Sequence, residues 1–205
     1  MKLKDGIHSD IKKFTYLNQE TIITPFFTND YCDHLINRLE KHGWKVDENG
    51  NYDMYLNEIE DGKEWCRDFL EIIKKDIEPE IVKNWTEAIK GRLWKYYPVP
   101  FAKKFSLKGQ SELDLHVDNA LITFFVKLND NFGGCDTVFP RQKWDTSNLK
   151  KGEMLIIPGI ITHPHYTKKL TWGEKYSLVG RVSILDVRES KEYSDNIESV
   201  ISDIK

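Results

Sequence analysis

The chain has 205 residues, of which 40% are apolar and 31% charged, and its 30 basic and 33 acidic side chains give a formal net charge of −3. This composition supports one buried core and excludes a polybasic coat for nucleic acid or anionic membranes. The longest apolar run, residues 155–161, is shorter than the ~20 residues of a membrane span. The first six residues lack the apolar run of a secretory signal, and three cysteines without CxxC spacing indicate free thiols. We therefore predict a single soluble, cytoplasmic domain without nucleic-acid or membrane partners.

Helical patterns dominate the first ninety residues. Apolar side chains at i, i+4 and i+8 predict an amphipathic helix over residues 28–43, with Thr28 among the capping residues at its start. A second helix is predicted over residues 63–75, and a third begins near Pro79 because proline suits a first helical turn. The polar stretch between the first two helices, residues 47–62, is interpreted as a surface loop or a short strand pair.

The second half of the chain is rich in short strand patterns separated by turns. β-Branched and aromatic residues recur there, with glycine, proline and asparagine between the runs. The predicted strands are 93–97, 113–116, 121–128, 137–140, 152–159, 160–165 and 175–185. Many short strands after a few helices indicate a mainly β protein with N-terminal helices (α+β), built as an antiparallel barrel or jelly roll. We divide this single domain into a helical covering region (1–90), the β core (91–185) and a polar tail (186–205).

Three of the six histidines fall in the strand-rich half. His116 and Asp118 are two residues apart, as are His163 and His165, so each pair shares one face of an extended chain. Two imidazoles and one carboxylate on neighbouring strands form the facial triad of non-heme Fe(II) oxygenases, which leaves three coordination positions open. The alternative is that His116 and Asp118 end a strand and bond to local backbone.

A cation follows the histidines at a fixed interval. Lys175 lies ten residues after His165 and shares a strand face with Ser177, Val179 and Arg181. A lysine that points into a barrel is costly unless it meets an anion. A dicarboxylate cosubstrate would supply that anion.

These motifs together resemble the 2-oxoglutarate- and Fe(II)-dependent dioxygenases of the prolyl 4-hydroxylase and procollagen lysyl hydroxylase superfamily. The resemblance covers about residues 91–185, roughly half of the chain. The matching stretches are 115–118 (LHVD), 128–129 (LN), 133–134 (GG), 151–154 (KGEM), 158–165 (PGIITHPH) and 173–176 (GEKY).

The resemblance implies a double-stranded β-helix of the cupin-like, jelly-roll type and assigns roles to particular residues. His116, Asp118 and His165 would bind Fe(II), and Lys175 would pair with the distal carboxylate of 2-oxoglutarate. The helpers for this carboxylate would be Tyr96, or its neighbour Tyr97, and Thr123. The implied reaction uses O₂ and decarboxylates 2-oxoglutarate to succinate and CO₂ while a C–H bond is hydroxylated, with ascorbate as a reductant. The implied substrate is a peptidyl prolyl or lysyl residue.

Alternatives remain open for the outer residues and for the function. His163 is either an alternative iron ligand, a substrate-side residue or a packed strand histidine. Arg181 either meets a substrate carbonyl or carboxylate or forms a salt bridge at the rim. Tyr55 belongs either to a substrate lid or to packing. The alternative functions are a hydroxylase of a free amino acid or small metabolite, a nucleobase dealkylase, a zinc hydrolase, and a non-catalytic jelly-roll binding or structural protein.

Overall fold

The computed structural model describes residues 1–85 and 99–182. Within them, two antiparallel β-sheets face each other, and helices cover the outer face of the larger sheet. The helices are α1 (Asn29–His42), α2 (Gly62–Ile72) and α3 (Glu78–Trp85). The strands are β1 (Thr15–Asn18), β2 (Thr21–Pro25), β3 (Tyr52–Tyr55), β4 (Phe101–Ser106), β5 (Leu113–His116), β6 (Ile122–Lys127), β7 (Phe132–Gly134), β8 (Thr137–Phe139), β9 (Trp144–Asp145), β10 (Glu153–Pro158), β11 (His165–Thr167) and β12 (Leu170–Val182).

The two sheets form the sandwich of a double-stranded β-helix. The larger sheet has the strand order β1-β2-β10-β6-β12-β4-β3, with β7 paired to β12, and the smaller has the order β5-β11-β8-β9. Side chains alternate along the central strands. In β6, Ile122, Phe124 and Val126 belong to the core under the helices, whereas Thr123 and Phe125 face the smaller sheet. The predicted fold class, mainly β with N-terminal helices, is confirmed.

α1 begins and ends where its sequence signals place it, and α2 and α3 begin within a residue of their predicted starts. Thr28 caps α1, since its Oγ1 accepts a hydrogen bond from the backbone N–H of Tyr31 at 3.3 Å, and Gly43 follows the helix with a φ of +87°. α2 continues through a π-helical turn, Ile73–Ile77, into α3, whose first turn contains Pro79. No helix in the described residues is long and apolar enough to cross a membrane.

The sequence-based prediction missed the hairpin of β1 and β2, and residues 47–62, expected to be a surface loop or a short strand pair, contain the strand β3. β1 and β2 form a hairpin whose second strand pairs with β10, and β3 pairs with β4. These strands are four or five residues long, which is too short for alternation to stand out beside strong helical periodicity. The predicted strand over residues 93–97, the end of the third predicted helix and the tail 186–205 lie outside the described residues.

The predicted strand over residues 160–165 is also wrong, because a turn occupies most of it. Ile160 has a φ of +58°, and a Cβ on Gly159 would lie 2.0 Å from the carbonyl oxygen of Ala120. The backbone N–H of Ile160 donates to the carbonyl oxygen of Asp118 at 2.7 Å. Pro164 has no N–H to give to a strand ladder, so β11 begins only at His165. Through this hydrogen bond, the turn holds the segment that carries Asp118 in position.

Candidate active site

Three potential metal ligands converge where the smaller sheet meets the turn after β10. His116 on β5 and His165 on β11 are direct cross-strand partners, and Asp118 lies two residues after β5. One ligand atom from each of the three residues lies within 4.8 Å of the other two. The Nε2 atom of His165 is 3.9 Å from Oδ2 of Asp118. The residues predicted to form the triad are thus brought together.

Backbone contacts select the nitrogen that each histidine offers. Nδ1 of His116 lies 2.8 Å from the carbonyl oxygen of Asp114, and Nδ1 of His165 lies 2.9 Å from the carbonyl oxygen of His163. A carbonyl only accepts hydrogen bonds, so both Nδ1 atoms carry the proton and both Nε2 atoms keep a free lone pair. Burial lowers the pKa of His165, opposed by the Asp118 charge, and this favours the neutral imidazole that a metal requires.

The carboxylate of Asp118 is held by two residues of the larger sheet, Thr123 on β6 and Arg181 on β12. Its side chain is only 4% exposed, and Oδ2 accepts a hydrogen bond from Oγ1 of Thr123 at 2.8 Å. Oδ1 lies 2.8 Å from Nη2 of Arg181 on β12. Thr123 was expected to help bind the cosubstrate carboxylate, but its hydroxyl proton goes to Asp118. The reason is that Thr123 is near the start of β6, only five residues after Asp118.

His163 does not share a face with His165, contrary to the expectation from their spacing. It lies in the turn before β11, where the chain is not extended and side chains do not alternate. Its Nε2 lies 3.2 Å from Oγ1 of Thr21 on β2, and its Nδ1 lies 3.0 Å from Oγ1 of Thr162. Burial lowers the pKa of His163 to about 4. In this arrangement His163 is a buried, neutral packing residue away from the triad.

A cavity of about 270 Å³ extends from the triad between the two sheets. Its walls are mainly apolar and aromatic, as expected of a small-molecule site with a few convergent polar groups. The apolar lining residues are Phe101, Phe105, Leu113, Phe125, Phe139, Leu155, Ile157 and Val179.

Lys175 lines this cavity and is its most deeply buried cation, with a side chain that is 2% exposed. Its Nζ donates to the carbonyl oxygen of Cys135 at 2.7 Å and lies 5.3 Å from the ring centroids of both Phe105 and Phe125. Among the described residues, no carboxylate oxygen lies within 4 Å of Nζ. Burial lowers the pKa of Lys175 to about 8, partly offset by Cys135 and Asp136. Within residues 1–85 and 99–182, Lys175 is thus a buried cation without an anionic partner.

One hydroxyl group contacts this cation and others line the same cavity, and sequence reasoning missed most of them. Oγ1 of Thr137 is 3.4 Å from Nζ of Lys175 and 3.4 Å from Oγ1 of Thr167. Oγ of Ser177 is buried in the cavity wall and has no hydrogen-bond partner in the described part of the chain. The alternation of side chains along β12 predicts that Ser177 lies on the same strand face as Lys175. Thr137 and Thr167 were not predicted, because they come from other strands whose register the sequence does not reveal.

Tyr55 is a packing residue, not part of a lid over the cavity. It belongs to β3, an edge strand, and its ring packs against Phe101 with centroids 6.0 Å apart.

The residues of this segment that do line the cavity are Asn51 and Asp53. Asp53 forms an ion pair of 2.9 Å with Lys103, which also lines the cavity. The remaining polar lining residues are Gln110, Thr146 and Arg181. Tyr96, the predicted cosubstrate tyrosine, and its neighbour Tyr97 lie outside the described residues.

Comparison with solved structures supports the fold that these features define. A prolyl hydroxylase of Trichoplax adhaerens, solved with a peptide fragment of hypoxia inducible factor, aligns with a TM-score of 0.56. The alignment covers 84% of this chain and 86% of that chain at 14% sequence identity. At this identity the likeness establishes the fold alone, which is the double-stranded β-helix.

Sequence comparison agrees with the motifs. Procollagen-lysine,2-oxoglutarate 5-dioxygenase 1 of Mus musculus is 26% identical over an aligned length of 174 residues, and the alignment covers 77% of this chain and 23% of that protein. A procollagen lysyl hydroxylase and glycosyltransferase of Acanthamoeba polyphaga mimivirus is 24% identical over 181 residues, covering 83% of this chain and 20% of that protein. The chain thus spans under a quarter of these relatives' length. No family model matches the sequence. The resemblance to the prolyl 4-hydroxylase and procollagen lysyl hydroxylase superfamily is confirmed.

Proposed function

We propose that the protein is a 2-oxoglutarate- and Fe(II)-dependent dioxygenase that hydroxylates a C–H bond. The observation that carries the proposal is the presence in one cavity of two complementary parts. One part is the cluster of His116, Asp118 and His165, and the other is the buried Lys175. Metal-binding or anion-binding proteins need only one of these parts, whereas this reaction needs both.

The residues present fit the implied cofactors. Two imidazoles and one carboxylate suit Fe(II) and leave further positions for cosubstrate and O₂. Lys175 lacks a carboxylate partner, and the neighbouring hydroxyl of Ser177 lacks any hydrogen-bond partner in the described residues. Both features match a carboxylate that arrives with a ligand, because buried polar groups are normally satisfied. A zinc hydrolase has no dicarboxylate cosubstrate, so that function would not explain the buried Lys175.

Bound Fe(II) supplies the redox chemistry, in which O₂ converts 2-oxoglutarate to succinate and CO₂ and oxidises the substrate C–H bond. The protein holds and orients the reactants. His116, Asp118 and His165 bind the metal, and Lys175 with Ser177 binds the distal carboxylate of 2-oxoglutarate. Phe105 and Phe125 limit the access of water around that ion pair, which strengthens it. Tyr96 remains the predicted tyrosine ligand of the same carboxylate.

We further propose a peptidyl prolyl or lysyl residue as the substrate. Support comes from the names of the relatives, which are procollagen lysyl hydroxylases, and from the prolyl hydroxylase that shares the fold. The polar groups of Asn51 and Gln110 give the cavity hydrogen-bonding partners for a main chain or a polar side chain. A free amino acid or small metabolite is the alternative substrate, and ascorbate is the proposed reductant.

The experiment is a turnover assay with the full chain, Fe(II), 2-oxoglutarate and ascorbate. Peptides that contain either proline or lysine, and the two free amino acids, are tested separately for succinate release and for a mass gain of one oxygen atom. We expect a peptide to give both signals in equal amounts. Oxygen transfer only to a free amino acid would replace the substrate proposal. A protein that binds Fe(II) and 2-oxoglutarate but releases no succinate with any substrate would favour a non-catalytic binding protein.

A further inference from the structure

Arg181 and Thr123 form a pair across the larger sheet that holds both oxygens of Asp118. The two residues are direct cross-strand partners on β12 and β6. Thr123 donates to Oδ2 of Asp118, and Nη2 of Arg181 lies 2.8 Å from Oδ1. The contact of Arg181 is an ion pair without hydrogen-bond angles, and Oδ1 has no hydrogen-bond partner in the described parts of the chain.

The guanidinium is constrained although part of it reaches solvent. Its Cζ lies 5.4 Å from the ring centroid of Phe101, and its Nε atom is buried in the wall of the cavity. The side chain of Arg181 is 43% exposed, whereas that of Asp118 is 4% exposed. Removing the partner of a buried charge leaves that charge uncompensated, so Arg181 lies where it can both neutralise and orient the carboxylate of Asp118.

We infer that Arg181 is a positioning residue for the metal-binding carboxylate. This inference rests on the proposed function. By occupying Oδ1, Arg181 leaves Oδ2 as the oxygen that faces Nε2 of His165, 3.9 Å away. The carboxylate then offers the metal one oxygen, so that further coordination positions stay free for ligands.

The physical reason lies in the torsion of the carboxylate. The χ2 angle of aspartate is broad and nearly two-fold, so an unrestrained Asp118 would present either oxygen or both. Thr123 alone restrains one oxygen. Removing the partners of metal-binding groups typically lowers metal affinity by about 10–100-fold. We expect the loss of Arg181 to fall in this range.

The test measures Mn(II) binding to the full chain, without oxygen or 2-oxoglutarate, from the electron paramagnetic resonance signal of free Mn(II). The variants are Arg181→Met, Arg181→Lys and Lys103→Met. Lys103 is the matched control, since it lines the same cavity but pairs with Asp53 and not with Asp118. Thermal unfolding followed by circular dichroism verifies that each variant folds, and Arg181→Gln replaces Arg181→Met if the latter does not fold.

The direction of the change in Mn(II) affinity distinguishes a positioning role of Arg181 from a purely electrostatic effect of its charge. Removing a positive charge near a cation site should tighten Mn(II) binding by Coulomb's law alone. We expect Arg181→Met to raise the Kd of Mn(II) at least about tenfold, Arg181→Lys to restore most of the affinity, and Lys103→Met to leave it unchanged or slightly tighter. Unchanged or tighter binding by Arg181→Met would overturn the inference while leaving the proposed function intact. A wild-type protein that binds no Mn(II) would overturn both.

Discussion

His116 and His165 are direct cross-strand partners on antiparallel strands, and their ring centroids are 4.3 Å apart. This register decides which histidine of the 163–165 pair joins the triad. Spacing along the chain leaves both histidines possible, but only His165 lies in a strand beside β5. The carbonyl group of His163 still contributes, because it accepts the Nδ1 proton of His165.

The same substitution at the two histidines should give opposite results. We expect His165→Gln to lose metal binding and succinate formation, since one of three ligands is removed. We expect His163→Gln to keep the metal and to lose about 1–3 kcal/mol of stability, because the contact with Thr21 is disturbed. Metal titration and urea unfolding measure the two effects. Retention of metal by His165→Gln and its loss in His163→Gln would show that the ligand assignment is wrong.

Replacing Lys175 should separate stability from function. Burial lowers the pKa of Lys175 from its ordinary value of 10.5 to about 8, so holding the charge destabilises the fold at neutral pH. We expect Lys175→Met to raise the free energy of unfolding by about 1–3 kcal/mol at pH 7 and to abolish saturable 2-oxoglutarate binding. The measurement is urea unfolding of wild type and variant across pH.

The gain in stability should shrink as pH rises from about 8 to about 10.5, where wild-type Lys175 becomes neutral in the folded state before it does so in the unfolded state. A variant that is less stable than wild type at pH 7 would contradict the account of Lys175 as an uncompensated cation.

The affinity for 2-oxoglutarate should depend on the protonation of Lys175. Below about pH 8 the ammonium is charged and Kd should be constant, whereas above this pH the Kd should rise by up to about tenfold per pH unit. Anaerobic titrations between about pH 7 and about pH 10 measure the dependence. Lys175→Arg is the control, because a guanidinium stays charged over this range. A flat profile for wild type would remove Lys175 from the cosubstrate site.

The hydroxyl of Ser177 should matter for binding and not for folding. It is buried in the cavity wall without a partner among the described residues, so its loss breaks no bond of the folded protein. We expect Ser177→Ala to raise the Kd for 2-oxoglutarate about tenfold and to leave the unfolding temperature nearly unchanged. Ser106→Ala is the matched control, since that buried serine contacts Glu174 at 3.3 Å outside the cavity. Equal Kd values for wild type and Ser177→Ala would refute this role.

The sequence predicts those elements whose signals are local. α1 has its capping threonine and terminal glycine, and β6 and β12 have runs long enough to show alternation. The arrangement of His116, Asp118 and His165 was predictable because the residue types are rare and their chemistry is specific. Lys175 was predictable because a lysine on an inward strand face requires an anion.

The missed features depend on contacts between distant segments. The β1–β2 hairpin joins the larger sheet by pairing with β10, which follows more than a hundred residues later in the chain. The turn that displaces His163 depends on a positive φ at Ile160, a conformation that isoleucine adopts only where its surroundings enforce it. The contact between Arg181 and Asp118 results from cross-strand register, which spacing along one strand does not reveal.

The most direct test of the central claim is an anaerobic visible spectrum of the purified full chain with Fe(II), recorded before and after 2-oxoglutarate is added. Chelation of the metal by the keto acid gives a metal-to-ligand charge-transfer band and needs no knowledge of the substrate. We expect the band in wild type and its absence in His165→Gln. Well-folded wild-type protein that shows no band at saturating Fe(II) and 2-oxoglutarate would contradict the proposed dioxygenase function.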